Sequence, residues 1–127
     1  MPIKQVLVID DSREVRELLK ALLQFRSFAV VEAENGQQAL GKLTQAPFSL
    51  IITDYNMPVM NGLEFITALK RQSPQSVPPV ILITAADPAY LAQAAQAAGA
   101  AKCLGKPFSF SAFLTAVDEL TATQALT

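Results

Sequence analysis

The chain has 127 residues, of which 51% are hydrophobic and 17% charged, a composition typical of a globular domain with its own core. Its formal net charge of −1 gives no reason to expect nucleic acid or an anionic membrane as a partner, and no uncharged apolar stretch approaches the roughly 18 residues of a membrane span. The absence of histidine excludes Ser-His-Asp catalysis, most zinc sites and a histidine phosphocarrier, while one cysteine excludes an internal disulfide. We therefore expect one cytoplasmic domain over residues 1–127, with no second domain in the chain.

Uncharged apolar runs alternate with segments of helical periodicity, and turn residues separate them. The predicted elements are a strand at Gln5–Ile9, a helix at Ser12–Gln24, a strand at Phe28–Ala33, a helix from the turn at Glu34–Gly36 to about Gln45, a strand at Leu50–Thr53, a helix reaching about Gln72, a strand at Val80–Ile83, a helix from Asp87 to Ala98, a strand at Lys102–Gly105, and a helix starting at Ser109 or Ser111. Five strand–helix units predict right-handed crossovers and a parallel sheet with helices on both faces.

The first helix shows the clearest two-sided pattern. Asp11 or Ser12 can cap it, and Glu14 stands at capping-box spacing from Asp11. Its inward face is predicted to carry Val15, Leu18, Leu19, Leu22 and Leu23, and its outward face Arg13, Arg16, Glu17 and Lys20.

Two later helices also carry end and face signals. Asp87 is expected to cap the fourth helix, with Pro88 at its first position and Gly99 at its C-terminal end. The last helix is predicted to turn four apolar residues inward, namely Phe113, Leu114, Val117 and Leu120.

Four strands end in residues that carry a charge or a hydroxyl. These residues are, in chain order, Asp10 with Asp11, then Asp54, Thr84 and Lys106. Taken singly, the two adjacent aspartates can be a helix cap, Thr84 an ordinary strand residue and Lys106 a solvated loop charge. A parallel sheet, however, brings all these ends to one edge, where ligands of open α/β sheets bind. We therefore expect one functional site there, with Asp54 at the end of the central buried strand.

Three converging carboxylates repel one another unless a cation lies between them. Hard oxygen ligands without histidine or thiolate favour Mg²⁺ or Mn²⁺, and Mg²⁺ commonly binds one or two carboxylates together with a phosphate oxygen. Asp54 can act as a nucleophile that forms an aspartyl phosphate. No glycine-rich nucleotide loop is present, so an already activated phosphoryl donor is expected rather than ATP.

Four stretches together resemble a response-regulator receiver domain of the chemotaxis-regulator type, over essentially the whole chain. They are VLVIDDSREVR, LIITDYNMPVMNGLEFI, VILITA and AGAAKCLGKPF. The resemblance implies an α/β, flavodoxin-like (βα)5 fold with a five-stranded parallel sheet of order 2-1-3-4-5. It also implies a role in two-component phosphorelay signalling, in which the domain catalyses only its own phosphorylation and dephosphorylation and is not a turnover enzyme.

The resemblance also implies residue roles and partners. Asp54 would accept a phosphoryl group from a phosphohistidine on a sensor kinase or phosphotransfer protein. Mg²⁺ would be held by Asp11, Asp54 and the backbone carbonyl of Asn56, with Asp10 acting partly through water. Thr84 and Lys106 would bind phosphoryl oxygens, and the Lys106–Pro107 peptide bond would be cis. An unidentified protein would be the downstream target, and a homodimer through the fourth helix, fifth strand and fifth helix is possible.

Three positions bear on how such a switch would work here. Cys103 stands where the family usually has Tyr or Phe, so the usual aromatic readout is not expected, and the thiol is expected to be an inert core residue. Tyr90 is interpreted as a packing aromatic rather than a substitute for the missing ring. Asn56 and Ala86 lie two residues past Asp54 and Thr84, at positions that in the family help decide how easily water reaches the acyl phosphate. Ala86 is small and leaves that approach open. We therefore expect a short-lived phosphorylated state, which a half-life of many hours would contradict.

Two other classes of protein remain as alternatives. A phosphatase of the haloacid-dehalogenase type also uses Asp, Thr, Lys and Mg²⁺, but its nucleophile normally lies in a D-x-D motif after the first strand, where this chain has Asp10-Asp11-Ser12. A flavodoxin-like cofactor binder needs hydrogen-bond donors for the flavin phosphate in the same loop, which is acidic here. Turnover of a phosphomonoester would favour the first alternative, and a coloured protein the second.

Overall fold

The structure is a computed structural model that describes residues 4–74, 77–85 and 88–125. Its elements are β1 (Gln5–Ile9), α1 (Arg13–Gln24), β2 (Ala29–Ala33), α2 (Gly36–Leu43), β3 (Leu50–Asp54), α3 (Gly62–Gln72), β4 (Val80–Thr84), α4 (Pro88–Ala98), β5 (Lys102–Gly105) and α5 (Phe110–Ala125). The strands form one parallel sheet of five, in the order β2-β1-β3-β4-β5. The predicted fold class and strand order are therefore confirmed. Within the described ranges, no helix is long and apolar enough to cross a membrane.

The three central strands are buried on both faces, as their uncharged sequences predict. Val6 and Val8 of β1 point to the face that packs against α1 and α5, where Leu23 and Phe113 complete one core cluster. Leu7 and Ile9 point to the opposite face, where residues of α2 and α3, among them Ala39, Phe65 and Ile66, form the second cluster. Because successive strand residues alternate between faces, a strand buried on both sides has no position for a charge until it ends. The charged and hydroxyl residues are thus confined to the strand ends.

Helix ends depart from the predicted ones by up to two residues. Ser12, one of the two predicted caps, caps α1 by accepting a hydrogen bond from the Val15 N–H at 3.3 Å. The alternative cap, Asp11 with Glu14 at capping-box spacing, is wrong. The helix α2 ends at Leu43, before the expected Gln45. Gly99, with φ of 112°, ends α4 as expected, and its N–H donates to the Ala95 carbonyl. The cap expected from Asp87 lies outside the described residues, as does Ala86.

Two side chains lie on the opposite side from the one expected. Arg16 is only 8% exposed, although it was assigned to the outer face of α1, while Leu18 is 40% exposed. The spacing of Arg16 with the buried Leu19 and Leu23 explains this, since residues three and seven apart share a helix face.

Tyr90 of α4 is 82% exposed, so its interpretation as a packing aromatic is wrong.

Candidate functional site

The carboxyl ends of β1, β3, β4 and β5 lie side by side along one edge of the sheet. Ile9 pairs with Thr53, so the next residues, Asp10 and Asp54, are neighbours on adjacent strands. Thr84 is the last residue of β4 and pairs with Gly105, which directly precedes Lys106. The topology therefore brings together side chains up to 96 positions apart, as the sequence predicted.

Three carboxylates meet at this edge. Asp10, Asp11 and Asp54 each offer an oxygen atom, and these atoms all lie within 4.8 Å of one another. Asp10 and Asp54 are 2% and 7% exposed, whereas Asp11 is exposed to solvent. The Lys106 Nζ lies 3.2 Å from Asp54 Oδ1 and 3.7 Å from Asp10 Oδ2. One ammonium group thus contacts both buried carboxylates, which leaves a net negative charge in the cluster.

Burial works against the charge of the two buried aspartates. It raises the pKa of Asp54, while Lys106 and the Tyr55 N–H oppose that rise and Asp11 adds to it. Burial likewise raises the pKa of Asp10, opposed by the Ser12 N–H and Lys106 and reinforced by the neighbouring carboxylates. A cation between these oxygens would relieve both the repulsion and the cost of burial.

Asp10 is held by contacts on three sides. Its backbone N–H donates to the Ala33 carbonyl at 3.1 Å, and its Oδ1 accepts a hydrogen bond from the Ser12 N–H at 2.8 Å. Its carbonyl accepts a buried hydrogen bond from Arg16 Nη1 at 2.7 Å. Sequence reasoning missed Arg16 because it assigned the residue by type rather than by its spacing from Leu19 and Leu23.

The backbone after Asp54 is fixed by close packing against α3. The Tyr55 N–H donates to the Ile83 carbonyl at 2.8 Å, and the Tyr55 carbonyl accepts from Gly62 N–H at 2.9 Å. A Cβ atom on Gly62 would lie 2.7 Å from the Asp54 carbonyl oxygen and 2.5 Å from Leu82 Cδ1. Only glycine permits this approach, which anchors the start of α3 beneath the site.

Asn56 lies two residues beyond β3 in the loop that connects it to α3, and its side chain is exposed. Further along this loop, Val59 has φ of 76° and is 72% exposed. A β-branched residue in the left-handed region is strained, so the shape of this loop is imposed by the anchors at its two ends.

Thr84 and Lys106 are linked through the backbone. The Thr84 side chain is fully buried, and its carbonyl accepts a hydrogen bond from the Lys106 N–H at 2.7 Å. The Lys106–Pro107 peptide bond is cis, as the resemblance implied. The bond to Thr84 holds the Lys106 backbone at the end of β4, and the lysine side chain lies next to Asp54.

Cys103 lies at the edge of the sheet beside α4. Its thiol is free and half-buried rather than in the core, and burial raises its pKa, which favours the unreactive protonated form. An open hollow of about 370 Å³ adjoins it, lined by Ala92, Ala95, Gln96, Ala100, Ala101, Lys102 and Cys103.

Comparison with known proteins identifies a family. The model of the response regulator receiver domain matches residues 6–118. A probable chemotaxis protein CheY of Rhizobium etli is 33% identical over 115 residues, which cover 90% of this chain and 89% of that protein. Two transcriptional regulatory proteins, a CpxR homolog of Haemophilus influenzae and ResD of Bacillus subtilis, are 35% identical over 83% and 64% of this chain, which spans 44% and 32% of their lengths.

Solved structures agree. Chemotaxis protein CheY4 of Vibrio cholerae is 34% identical with a TM-score of 0.86, over 94% of this chain and 99% of that one. Response regulator protein TrrA of Thermotoga maritima, solved in complex with Mg²⁺ and BeF, is 33% identical with a TM-score of 0.81, over 93% and 99% of the two chains. Neither the phosphatase nor the flavin-binding alternative is favoured by these matches. The chain therefore belongs to the response regulator receiver domains, which are signalling domains of two-component systems.

Proposed function

We propose that Asp54 is the phosphoacceptor of this receiver domain and that Asp10, Asp11 and Asp54, with the Asn56 backbone carbonyl, bind the Mg²⁺ that the transfer requires. The observation that carries the proposal is the convergence of three carboxylates within 4.8 Å with Lys106 in contact with two of them. Lys106 offsets only part of the negative charge of the three carboxylates, so the cluster is suited to a bound cation.

The donor set fits the metal. Every candidate side-chain ligand is a carboxylate oxygen, and hard oxygen donors without histidine or thiolate suit Mg²⁺, with Mn²⁺ as the alternative. Mg²⁺, when bound, would neutralise charge on the phosphoryl oxygens during transfer. The similar TrrA protein was solved with Mg²⁺ and BeF, which supports the same ligand class here.

The transfer itself is a displacement at phosphorus. An ionised Asp54 oxygen attacks the phosphorus of a phosphohistidine on a sensor kinase or phosphotransfer protein, forming an O–P bond. The P–N bond breaks, and its electron pair stays on the imidazole nitrogen of the partner. Burial raises the pKa of Asp54, and the charge of Lys106 opposes that rise, which favours the ionised carboxylate needed for attack.

Lys106 and Thr84 are the residues proposed to bind the new phosphoryl oxygens. Lys106 already lies 3.2 Å from Asp54 Oδ1, within reach of a phosphoryl oxygen bound there. Charge-assisted hydrogen bonds are worth roughly 1.5–3 kcal/mol each, so two supply roughly 3–6 kcal/mol. Moving a two-state equilibrium from 1:99 to 99:1 needs about 5.5 kcal/mol. Phosphorylation can therefore shift the conformation that an unidentified downstream protein recognises.

Two further features belong to this proposal. With Cys103 in place of an aromatic residue, the switch on the α4, β5 and α5 face works without a large ring turning inward, and any homodimer through that face forms without one. The site is expected to operate in the cytoplasm, where sensor kinases present their phosphohistidines.

The test is phosphorylation of the purified protein by acetyl phosphate with Mg²⁺, followed by intact mass. The wild type should gain the mass of one phosphoryl group and Asp54→Asn should not. Asp118→Asn is the matched control, because Asp118 lies on the surface in a pair with Arg26. No adduct on the wild type, or an equal adduct on Asp54→Asn, would refute the assignment.

A further inference from the structure

Arg16 is the one arginine of α1 that the fold buries, since Arg13 on the same helix has a side chain 82% exposed. Its guanidinium donates through Nη1 to the Asp10 carbonyl at 2.7 Å and through Nε to Glu32 Oε1 at 3.1 Å. Glu32 lies on β2, so Arg16 connects α1 and β2 to the end of β1. Burying a guanidinium is unfavourable unless its donors are used, and two of them bind defined acceptors here.

The bond to the Asp10 carbonyl fixes more than one atom. A peptide unit is planar, so holding the Asp10 oxygen sets the plane that contains the Asp11 nitrogen. The Cα atoms of Asp10 and Asp11 lie in this plane at its two ends, and each carries one carboxylate of the cluster. The orientation of that single peptide therefore sets the directions of two of the three clustered carboxylates.

We propose that Arg16 is a positioning residue for the metal site: by holding the Asp10–Asp11 peptide it sets the spacing of the two carboxylates for Mg²⁺. The inference rests on the proposed function, because it assumes that these carboxylates bind the ion. Arg16 itself touches neither the ion nor the phosphoryl group. Its forked guanidinium suits this role better than an ammonium, because one planar group reaches a carbonyl and a carboxylate at fixed angles.

Metal selectivity separates positioning from general support of the fold. Mg²⁺ requires near-ideal octahedral geometry, whereas Ca²⁺ tolerates irregular ligand sets. A misdirected peptide should therefore weaken Mg²⁺ binding more than Ca²⁺ binding, while a general loss of structure should weaken both alike.

The experiment is isothermal titration of the full chain with MgCl2 and with CaCl2. Arg16→Met should raise the Kd for Mg²⁺ about tenfold, the lower end of the range for groups that orient metal ligands, and the Kd for Ca²⁺ less than threefold. Arg16→Lys, which keeps one donor for the carbonyl, should recover part of the Mg²⁺ affinity. Arg13→Met is the control on the same helix and should match the wild type, because its partner is the exposed Glu17.

The outcomes are distinguishable. A Kd for Mg²⁺ within twofold of wild type in folded Arg16→Met, or equal weakening of Mg²⁺ and Ca²⁺, would overturn the inference. If Arg16→Met does not fold by circular dichroism, Arg16→Lys decides: a reduced ratio of Mg²⁺ to Ca²⁺ affinity supports positioning, and an unchanged ratio overturns it. A wild type that neither binds Mg²⁺ nor accepts a phosphoryl group would instead refute the proposed function.

Discussion

Lys106→Met tests the electrostatics of the site directly. The variant keeps the length of the side chain but removes the charge 3.2 Å from Asp54 Oδ1 and 3.7 Å from Asp10 Oδ2. With an effective dielectric constant of about 20, these pairs have Coulomb energies of about 5 and 4.5 kcal/mol, before the cost of removing the groups from water. Removing one partner of a buried pair costs about 3–5 kcal/mol. Because the aspartates can take up a proton instead, we expect the free energy of unfolding at pH 7.5 to fall by about 3 kcal/mol.

The loss of stability in Lys106→Met should be larger at high pH than at low pH. Burial already raises the pKa of Asp54 above its unfolded value, and Lys106 opposes that rise. Without the lysine the pKa rises further, so the folded state of the variant binds more protons than the unfolded state over a wider pH range. Stability then falls as pH increases through that range. The difference between variant and wild type should shrink as the pH is lowered toward 4 and the buried aspartates take up protons.

Urea denaturation at pH 7.5 and at pH 4 measures the free energy of unfolding of the variant and of the wild type. Lys102→Met is the matched control, because Lys102 pairs with Glu119 at the surface and should cost less than about 1 kcal/mol at either pH. Adding Mg²⁺ should restore more stability to Lys106→Met than to the wild type, since one dication replaces the missing charge. An equal loss at both pH values would show that Lys106 supports the fold by packing and would refute the electrostatic reasoning.

Three further predictions concern neighbouring residues. In thermal scans of this 127-residue chain without metal at pH 7.5, Asp54→Asn should have a higher Tm than the wild type, because it removes a buried charge of raised pKa. Mg²⁺ at ten times its Kd should raise the wild-type Tm by about 5 °C and the Tm of Asp54→Asn by less. Gly62→Ala should lose about 1–3 kcal/mol in urea denaturation, because its Cβ would meet the Asp54 carbonyl and Leu82, whereas Gly41→Ala, with nothing within 4 Å, should gain about 0.5–1 kcal/mol. Val59→Gly should gain about 1 kcal/mol by relieving the strain at φ of 76°, seen as a Tm rise of about 4 °C; no rise would show that the loop holds no strain.

The fold was predictable because each central strand is uncharged up to its last residue. Such strands fit only the interior of a parallel sheet, and the helices between them leave few topologies. The ends of helices were less predictable, since several residues near each end can cap. Ser12 rather than Asp11 caps α1, because the Ser12 Oγ accepts a hydrogen bond from the Val15 N–H.

The location of the site was predictable for the same reason as the fold. The hydrogen bonds that hold its residues in place were not. Strand ends carry the polar residues, and parallel pairing places those ends together. The support consists largely of bonds to main-chain atoms, such as the Arg16 bond to the Asp10 carbonyl. Sequence patterns report side-chain type, and by type an arginine on an amphipathic helix belongs outside. Its spacing from Leu19 and Leu23 places it on the inner face, and the acceptors at the end of β1 and on Glu32 of β2 allow its burial.

The two adjacent aspartates are alike in sequence but differ in the structure. Asp10 is 2% exposed and is held by Ala33, Ser12 and Arg16, while Asp11 is exposed to solvent. Asp10 therefore belongs to a preformed part of the site, whose position is determined before any ion arrives. Asp11 is the carboxylate of the cluster that is open to solvent, so its position is the least constrained of the three. The order of the pair follows from the end of β1: the first residue past the strand is still enclosed by β2 and α1, and the second has left them.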